Sequence, residues 1–523
     1  MAPMRIGRMM IGVVGAAVLA ASAGAGPPDE LLTVAERSGF RATARHAEVV
    51  ALCERLAARS PAVQLAELGK SGEGRSLPLM IVADPPVRTP AEARASGKLV
   101  VFLFGNIHAG EVCGKEGLPI LVRELTDRPG HPLLQDLILL VAPIYNADGN
   151  ERVSKDNRPG QVGPADGMGQ RANAAGLDLN RDFMKLEAPE TRALVRLLND
   201  WDPALTVDTH TTNGSHHRYT LTYDGPKNPA GDPGIVAYSR RSLFPSLTAA
   251  FKRATGHDSY FYGNFESDHT RWTTYPSTPR FGTTYIGLRD RLSILTEAYS
   301  YAPYDVRVYA TRDFCRLACE FAAAHRDEIR ALLNAARARA ERADPARRVA
   351  IRSKPRALPA PVAILGYVER PGPNGRPAST GEPKDYPCAV EGDFEPTVVV
   401  PRPSAYVVPP DQPRVVDLLQ AHGIRLERLD APARRRVTVD RVDALARSPR
   451  AFEKHNLLDV TATTPRAEDR DLPAGTVLVP TAQPLGNLAA YLLEPRSDDG
   501  VAAWGLHDGD LAPGRDFPIG KVE

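Results

Sequence analysis

The sequence predicts an α/β protein whose sheet is covered by helices on both faces. Short, almost purely apolar runs recur along the first two thirds of the chain, as strands buried on both sides require. Segments with apolar residues at helical spacing alternate with them, which favours a sheet wrapped by helices over a sandwich or a bundle.

The elements follow in order. Residues 43–60 read as an amphipathic helix, and 63–68, 79–83 and the very apolar 99–104 as strands. A helix over 117–125 leads to a buried strand over 137–144. Residues 149–180, rich in Gly, Asn, Arg and Pro, predict a long loop, and long loops inside compact domains are usually functional. A helix over 188–201, a strand over 205–209, a Pro/Gly loop over 225–234 and a strand over 292–297 complete the pattern. An Ala/Arg-rich helix over 331–342 closes a first domain spanning 30–345. Proline then becomes frequent, and 350–361 read as a linker. Beyond it, strands over 405–408, 424–429 and 476–479 and helices over 415–422 and 485–493 predict a smaller α+β or β-rich domain over 362–523.

Residues 1–25 differ from the rest. Arg5 and Arg8 precede an apolar run from Met9 to Ala21, and Ala21-Ser22-Ala23 offers a small-x-small cleavage site. A span needs about 20 apolar residues, and this run is shorter, so it reads as a secretory signal peptide. The expected location is secreted or periplasmic, with no membrane association after signal removal. A formal net charge of +2, with basic residues interspersed among acids, excludes nucleic acid as an expected partner. The five cysteines are odd in number and build no zinc-finger spacing, so they read mostly as small buried side chains.

Four stretches carry chemistry. His108-Ala109-Gly110-Glu111 leaves the end of the 99–104 strand, the edge where open α/β sheets place their sites. An imidazole and a carboxylate three residues apart can reach one zinc ion together. His210 ends a second buried strand and supplies a third ligand, which leaves the open position a catalytic zinc keeps. Between them, residues 171–182 set Arg171, Asn180 and Arg181 in a polar loop, and arginine suits both carboxylate recognition and oxyanion stabilisation. Glu297 ends an apolar strand, where burial raises a carboxyl toward the range of a general base.

Taken in order, H-x-x-E, R-x8-N-R, His and a strand-end Glu resemble the zinc metallocarboxypeptidase family, relatives of carboxypeptidase A. Gly69-Lys70-Ser71-Gly72-Glu73-Gly74-Arg75 is similar to that family's G-x-S-x-E-G-R segment, and Asn146-Ala147-Asp148-Gly149 to its N-P-D-G turn. The resemblance covers roughly residues 40–330 and implies a mixed, mostly buried sheet, one zinc ion and a peptide substrate. It implies that His108, Glu111 and His210 hold the zinc and that Asp178 orients His108. Arg171 would stabilise the oxyanion, Asn180 and Arg181 would grip the substrate's terminal carboxylate, and Glu297 would move the proton. The family's mobile tyrosine stands 22 residues before the glutamate, which reaches Tyr275; Tyr285 competes, since loop length need not be kept.

Two features depart from carboxypeptidase A-like members. Asp182 stands where they have Asn, and a salt bridge from it could occupy Arg181. The specificity position falls near Thr284 to Ile286, with no acid before Asp290, which points to neutral or apolar side chains. Two other readings remain: a zinc amidohydrolase acting on peptidoglycan stem peptides or acyl amino acids, and a non-catalytic binding protein on the same fold.

Overall fold

The computed structural model describes residues 28–522 apart from 213, 345, 373–376 and 508. The expected signal peptide, residues 1–25, lies outside the described residues.

A mixed eight-stranded sheet forms the centre. Its strands are β1 (Val63–Lys70), β2 (Ser76–Val82), β3 (Leu99–Gly105), β4 (Leu137–Ala142), β5 (Leu205–Thr212), β6 (Leu221–Asp224), β7 (Ser259–Phe261) and β10 (Leu292–Tyr299). The order is β1-β2-β4-β3-β5-β10-β6-β7, with β4-β3-β5-β10 parallel. Every residue of β3, β4 and β5 is buried, which is why these strands read as apolar runs without alternation. Helices His46–Arg59, Cys113–Thr126, Pro189–Trp201 and Tyr304–Ala324 pack on the sheet.

The close approach of the helix Cys113–Thr126 depends on glycine. A Cβ on Gly114 would lie 1.8 Å from Thr209 Oγ1 on β5, and one on Gly105 would lie 2.8 Å from the same atom. Only a backbone without side chains there lets β3, β5 and the helix meet directly behind the candidate ligands.

Most of the region expected to be a linker, residues 350–357, is strand instead. β11 covers Arg348–Ala357 and pairs antiparallel with the second half of the long β13 (Pro377–Pro401), whose first half pairs β12 (Val362–Pro371). Its one proline, Pro355, is tolerated because β11 is an edge strand, where a missing N–H breaks no ladder on the outer side. The C-terminal segment was expected to be a separate unit, yet β13 pairs in parallel with β9 (Arg271–Thr273), which pairs β8 (Asn264–Phe265). Both short strands belong to the stretch assigned to the first domain, so the two parts share this sheet.

The rest of the C-terminal segment is a six-stranded sheet of β14 (Ala405–Val408), β15 (Glu427–Arg428), β16 (Ala433–Arg447), β17 (Leu458–Leu472), β18 (Val477–Pro480) and β19 (Gly520–Val522). It packs against the first part through groups that are buried or nearly so. Tyr285 Oη meets His422 Nδ1 at 2.7 Å, and Asn487 Nδ2 donates to Ala230 O at 2.7 Å. One hydrophobic cluster runs from Leu31 to Ile519. All five cysteines are free and buried. Among the described residues no helix is long and apolar enough to cross a membrane.

Candidate active site

The site forms at the C-terminal ends of β3, β5 and β10. After Gly105 the chain turns at Asn106, whose φ of 68° lies in the left-handed region that Asn tolerates. Asn106 Nδ2 donates to Ala109 O, and Ala109 N to Gln170 O, fixing the turn that carries His108. Glu111 follows just before the helix Cys113–Thr126. His210 comes from β5, and Glu297 on β10 is its register partner.

Glu111 sits between the two imidazoles. His108 Nδ1 lies 2.9 Å from Glu111 Oε1, and His210 Nδ1 lies 2.9 Å from Glu111 Oε2. One donor atom from each of the three residues lies within 4.8 Å of the others, and all three residues are buried. Two imidazole nitrogens and a carboxylate are a zinc donor set, so these residues fit one ion with a position left open. The far nitrogens are backed by carboxylates: His108 Nε2 by Asp178 Oδ1 at 3.0 Å, and His210 Nε2 by Asp208 Oδ2 at 2.9 Å. The His108–Asp178 contact is a hydrogen bond of the kind that would turn Nδ1 toward a bound metal, whereas His210 and Asp208 meet as an ion pair. Burial works against charge on His210, but Asp208 and Glu111 hold its pKa well above the usual imidazole range. Burial likewise opposes charge on Glu111 and Asp178, and is outweighed by His108 beside both, with Arg158 helping at Glu111 and Arg171 at Asp178.

Asp208 and Arg158 were not found in the sequence. The first had a signal: two residues before His210 on a strand, it must share its face. Arg158 had none. Its guanidinium reaches Glu111 Oε1 at 3.0 Å, Thr211 O at 2.7 Å and Gln161 Oε1 at 3.1 Å. The long loop holding it closes on Gly110, where a Cβ would lie 2.6 Å from Arg158 Cδ.

A cleft of about 130 Å³ opens on the three candidate ligands and is lined by Arg171, Asn180, Arg181, Tyr262, Tyr275, Phe281, Leu295 and Glu297. Glu297 Oε2 is buried and has no hydrogen-bond partner among the described residues. Burial, with Glu111 pushing the same way, raises its pKa to about 8 against the pull of His210. Arg171 grips Asp178 Oδ2 through Nε (2.9 Å) and NH2 (2.7 Å), and its NH1 comes within 4.0 Å of Glu111. One carboxylate therefore orients both His108 and Arg171.

Asp182 does not occupy Arg181. It is fully buried, accepts from Lys185 Nζ at 2.8 Å and receives the backbone N–H groups of Glu187 and Ala188. Arg181 lies over the Phe281 ring at 4.1 Å and donates to Asn180 O at 2.8 Å. Asn180 Oδ1 accepts from Gly282 N at 2.8 Å. Tyr275 lines the cleft, whereas Tyr285 is buried against His422. Tyr262, also on the cleft wall, had no sequence signal. Thr284 and Ile286 are buried in the helix Gly282–Leu288, and Asp290 faces the Asp232 amide, outside the cleft lining.

The two upstream motifs serve as scaffold. Asp148 accepts from Ser71 Oγ (2.6 Å), Glu73 N (2.9 Å) and Arg75 NH1 (2.7 Å), while Asn146 Nδ2 donates to Ile107 O and Arg171 O. They brace the backbone on either side of the site.

Residues 49–282 match the zinc carboxypeptidase family. Carboxypeptidase 2 of Trichophyton rubrum is 25% identical over 479 residues, covering 87% of this chain and 82% of that protein. Mouse carboxypeptidase D is 34% identical over 163 residues, 26% of this chain and 12% of that protein. Among solved structures, carboxypeptidase A of Helicoverpa armigera aligns over 54% of this chain and 74% of that chain, with 18% identity and a TM-score of 0.41.

Proposed function

We propose that the chain is a zinc-dependent peptide hydrolase of the zinc carboxypeptidase kind, the family its residues 49–282 match, and that its residues divide the work as follows. His108, Glu111 and His210 hold the ion, with Asp178 and Asp208 setting the two rings. The metal supplies Lewis acidity, making water a stronger acid and polarising a carbonyl.

The rest falls to the protein. Glu297, whose Oε2 is buried and has no partner among the described residues, accepts the proton of the attacking water and returns it to the leaving amine. A raised pKa keeps proton gain and loss both accessible near neutrality. Arg171, aligned by Asp178, faces the oxyanion that develops as the carbonyl is attacked. Asn180 and Arg181 bind the terminal carboxylate, and Tyr275 closes over the substrate. The Tyr262, Phe281 and Leu295 side chains that line the cleft are themselves neutral, which favours neutral or apolar terminal side chains.

The observation that carries the exopeptidase reading is that Arg181 lines the cleft while Asp182, its chain neighbour, is committed to Lys185. The apolar start of the chain supports export to the periplasm or medium. The test is a panel of matched peptides with free and amidated C-termini, with and without chelator. Zinc-dependent cleavage confined to free acids is expected, and Arg181→Ala should erase that preference mainly through KM. Equal cleavage of amidated peptides by the wild type would overturn the reading.

A further inference from the structure

The β16–β17 arm ends in a turn that reaches back 275 residues to the candidate active-site loop. Phe452 and His455 exchange both backbone hydrogen bonds, leaving Glu453 and Lys454 as the two central residues. Their φ values are 47° and 67°, the left-handed region, where a two-residue turn ordinarily uses Asn-Gly. Two residues with long side chains there work against the turn's own preference, and such positions persist where something else depends on them.

Both side chains reach the loop that runs from Arg171 to Arg181. Glu453 Oε2 accepts from the Asp178 backbone N–H at 2.9 Å, and Lys454 Nζ donates to Ala175 O. The next residue joins them: His455 Nε2 lies 2.8 Å from Glu187 Oε1. Asp178 is the carboxylate that orients His108 and Arg171, and it opens the short helix Leu179–Arg181 carrying Asn180 and Arg181. The neighbouring C-terminal segment holds the opposite wall. Arg280 N donates to Asp499 Oδ2 at 2.6 Å, its NH2 lies 3.0 Å from Asp499 Oδ1, and its guanidinium sits 4.8 Å from the Trp504 ring. Phe281, on which Arg181 rests, follows directly.

We propose that Glu453 and Lys454 are positioning residues: the tip of the C-terminal arm latches the 175–181 backbone and thereby sets where Arg181 meets the substrate's terminal carboxylate. The inference rests on the reading of Arg181 given above. The Asp178 carboxylate keeps its own hold on His108 and Arg171, so the latch acts on the carboxylate-binding side more than on the chemical step.

The test uses the full-length zinc-loaded protein with the double substitution Glu453→Asn/Lys454→Gly. These residues suit the turn better than the native pair, so a purely structural hairpin would keep or gain thermal stability and leave catalysis unchanged. A latch predicts unchanged zinc content, a KM for free-acid peptides raised about 5–10-fold and a kcat within about twofold. Amide hydrogen exchange across 174–182 should accelerate in the same variant. Glu453→Gln keeps an acceptor oxygen and should restore KM to within about twofold of wild type. Unchanged KM and unchanged exchange in the double variant would overturn the proposal. If wild type fails to distinguish free from amidated peptides, the reading of Arg181 falls, while the exchange measurement still decides whether the tip holds the loop.

Discussion

Glu297 on β10 and His210 on β5 are register partners in a parallel pair, so the proposed proton acceptor and a candidate metal ligand leave adjacent strand ends side by side. Neither position rests on a flexible loop: both strands lie in the middle of the eight-stranded sheet. The carboxyl is placed by backbone hydrogen bonds at the wall of the cleft, where burial raises its pKa.

Glu297→Gln should lower kcat by about 10²–10⁴-fold, since it removes the general base and acid without changing shape. Zinc content, measured on the purified variant, should equal that of the wild type. Activity within tenfold of wild type would assign the proton transfer to another group.

Asp208→Ala should weaken zinc affinity by about 10–100-fold, because the His210 ring loses the carboxylate that fixes its orientation. Competition against a chromogenic chelator measures it. Asp178→Ala should do the same through His108 and in addition lower kcat, since Arg171 loses its partner. An Asp208 variant with unaltered affinity would reduce that residue to a bystander.

Arg158→Met takes from Glu111 one of its buried counter-charges, and breaking a buried pair costs about 3–5 kcal/mol. The loss should be largest without zinc, because a bound dication compensates Glu111 in its place. Thermal or denaturant unfolding with chelator and with excess zinc compares the two states. Equal destabilisation in both would mean that Arg158 acts only through Thr211 and Gln161.

Asp290 predicts a pH dependence of stability. Burial, with Asp232 nearby, pushes its pKa up to about 7 against the pull of Arg291 and Arg347. The unfolded chain titrates near 4, so between about pH 4 and 7 the folded state holds a proton that the unfolded state has lost. Stability therefore falls as pH rises through that window, and the full penalty stands above it. Asp290→Asn removes the penalty, keeps an acceptor for the Asp232 amide and suits the residue's φ of 58°. The variant should be more stable than wild type by about 1–3 kcal/mol at pH 8 and nearly equal to it at pH 4. Unfolding midpoints at the two pH values decide it.

The central strands were legible because burial on both faces leaves an apolar run that few other structures produce. The two long arms, β12–β13 and β16–β17, were not. Their residues are largely exposed and rich in charge, so only short stretches such as Tyr386, Cys388 and Val390 alternate, and their order comes from pairing with a distant partner strand. The region mistaken for a linker failed for the same reason: proline on an edge strand looks like proline in a linker until its neighbour is known.

By itself the sequence determined the buried strands and the placement of His108, Glu111, His210 and Glu297 at or just beyond their ends. These depend on local period and spacing, which one chain displays directly. Only the tertiary structure decided that Asp182 turns to Lys185 and leaves Arg181 on the cleft, that Arg158 backs Glu111, and that Glu453 holds the Asp178 amide. A side-chain charge or a backbone N–H has several partners within reach of a flexible chain. Which one it takes is set by what burial brings within about 3 Å, and no local pattern records that distance.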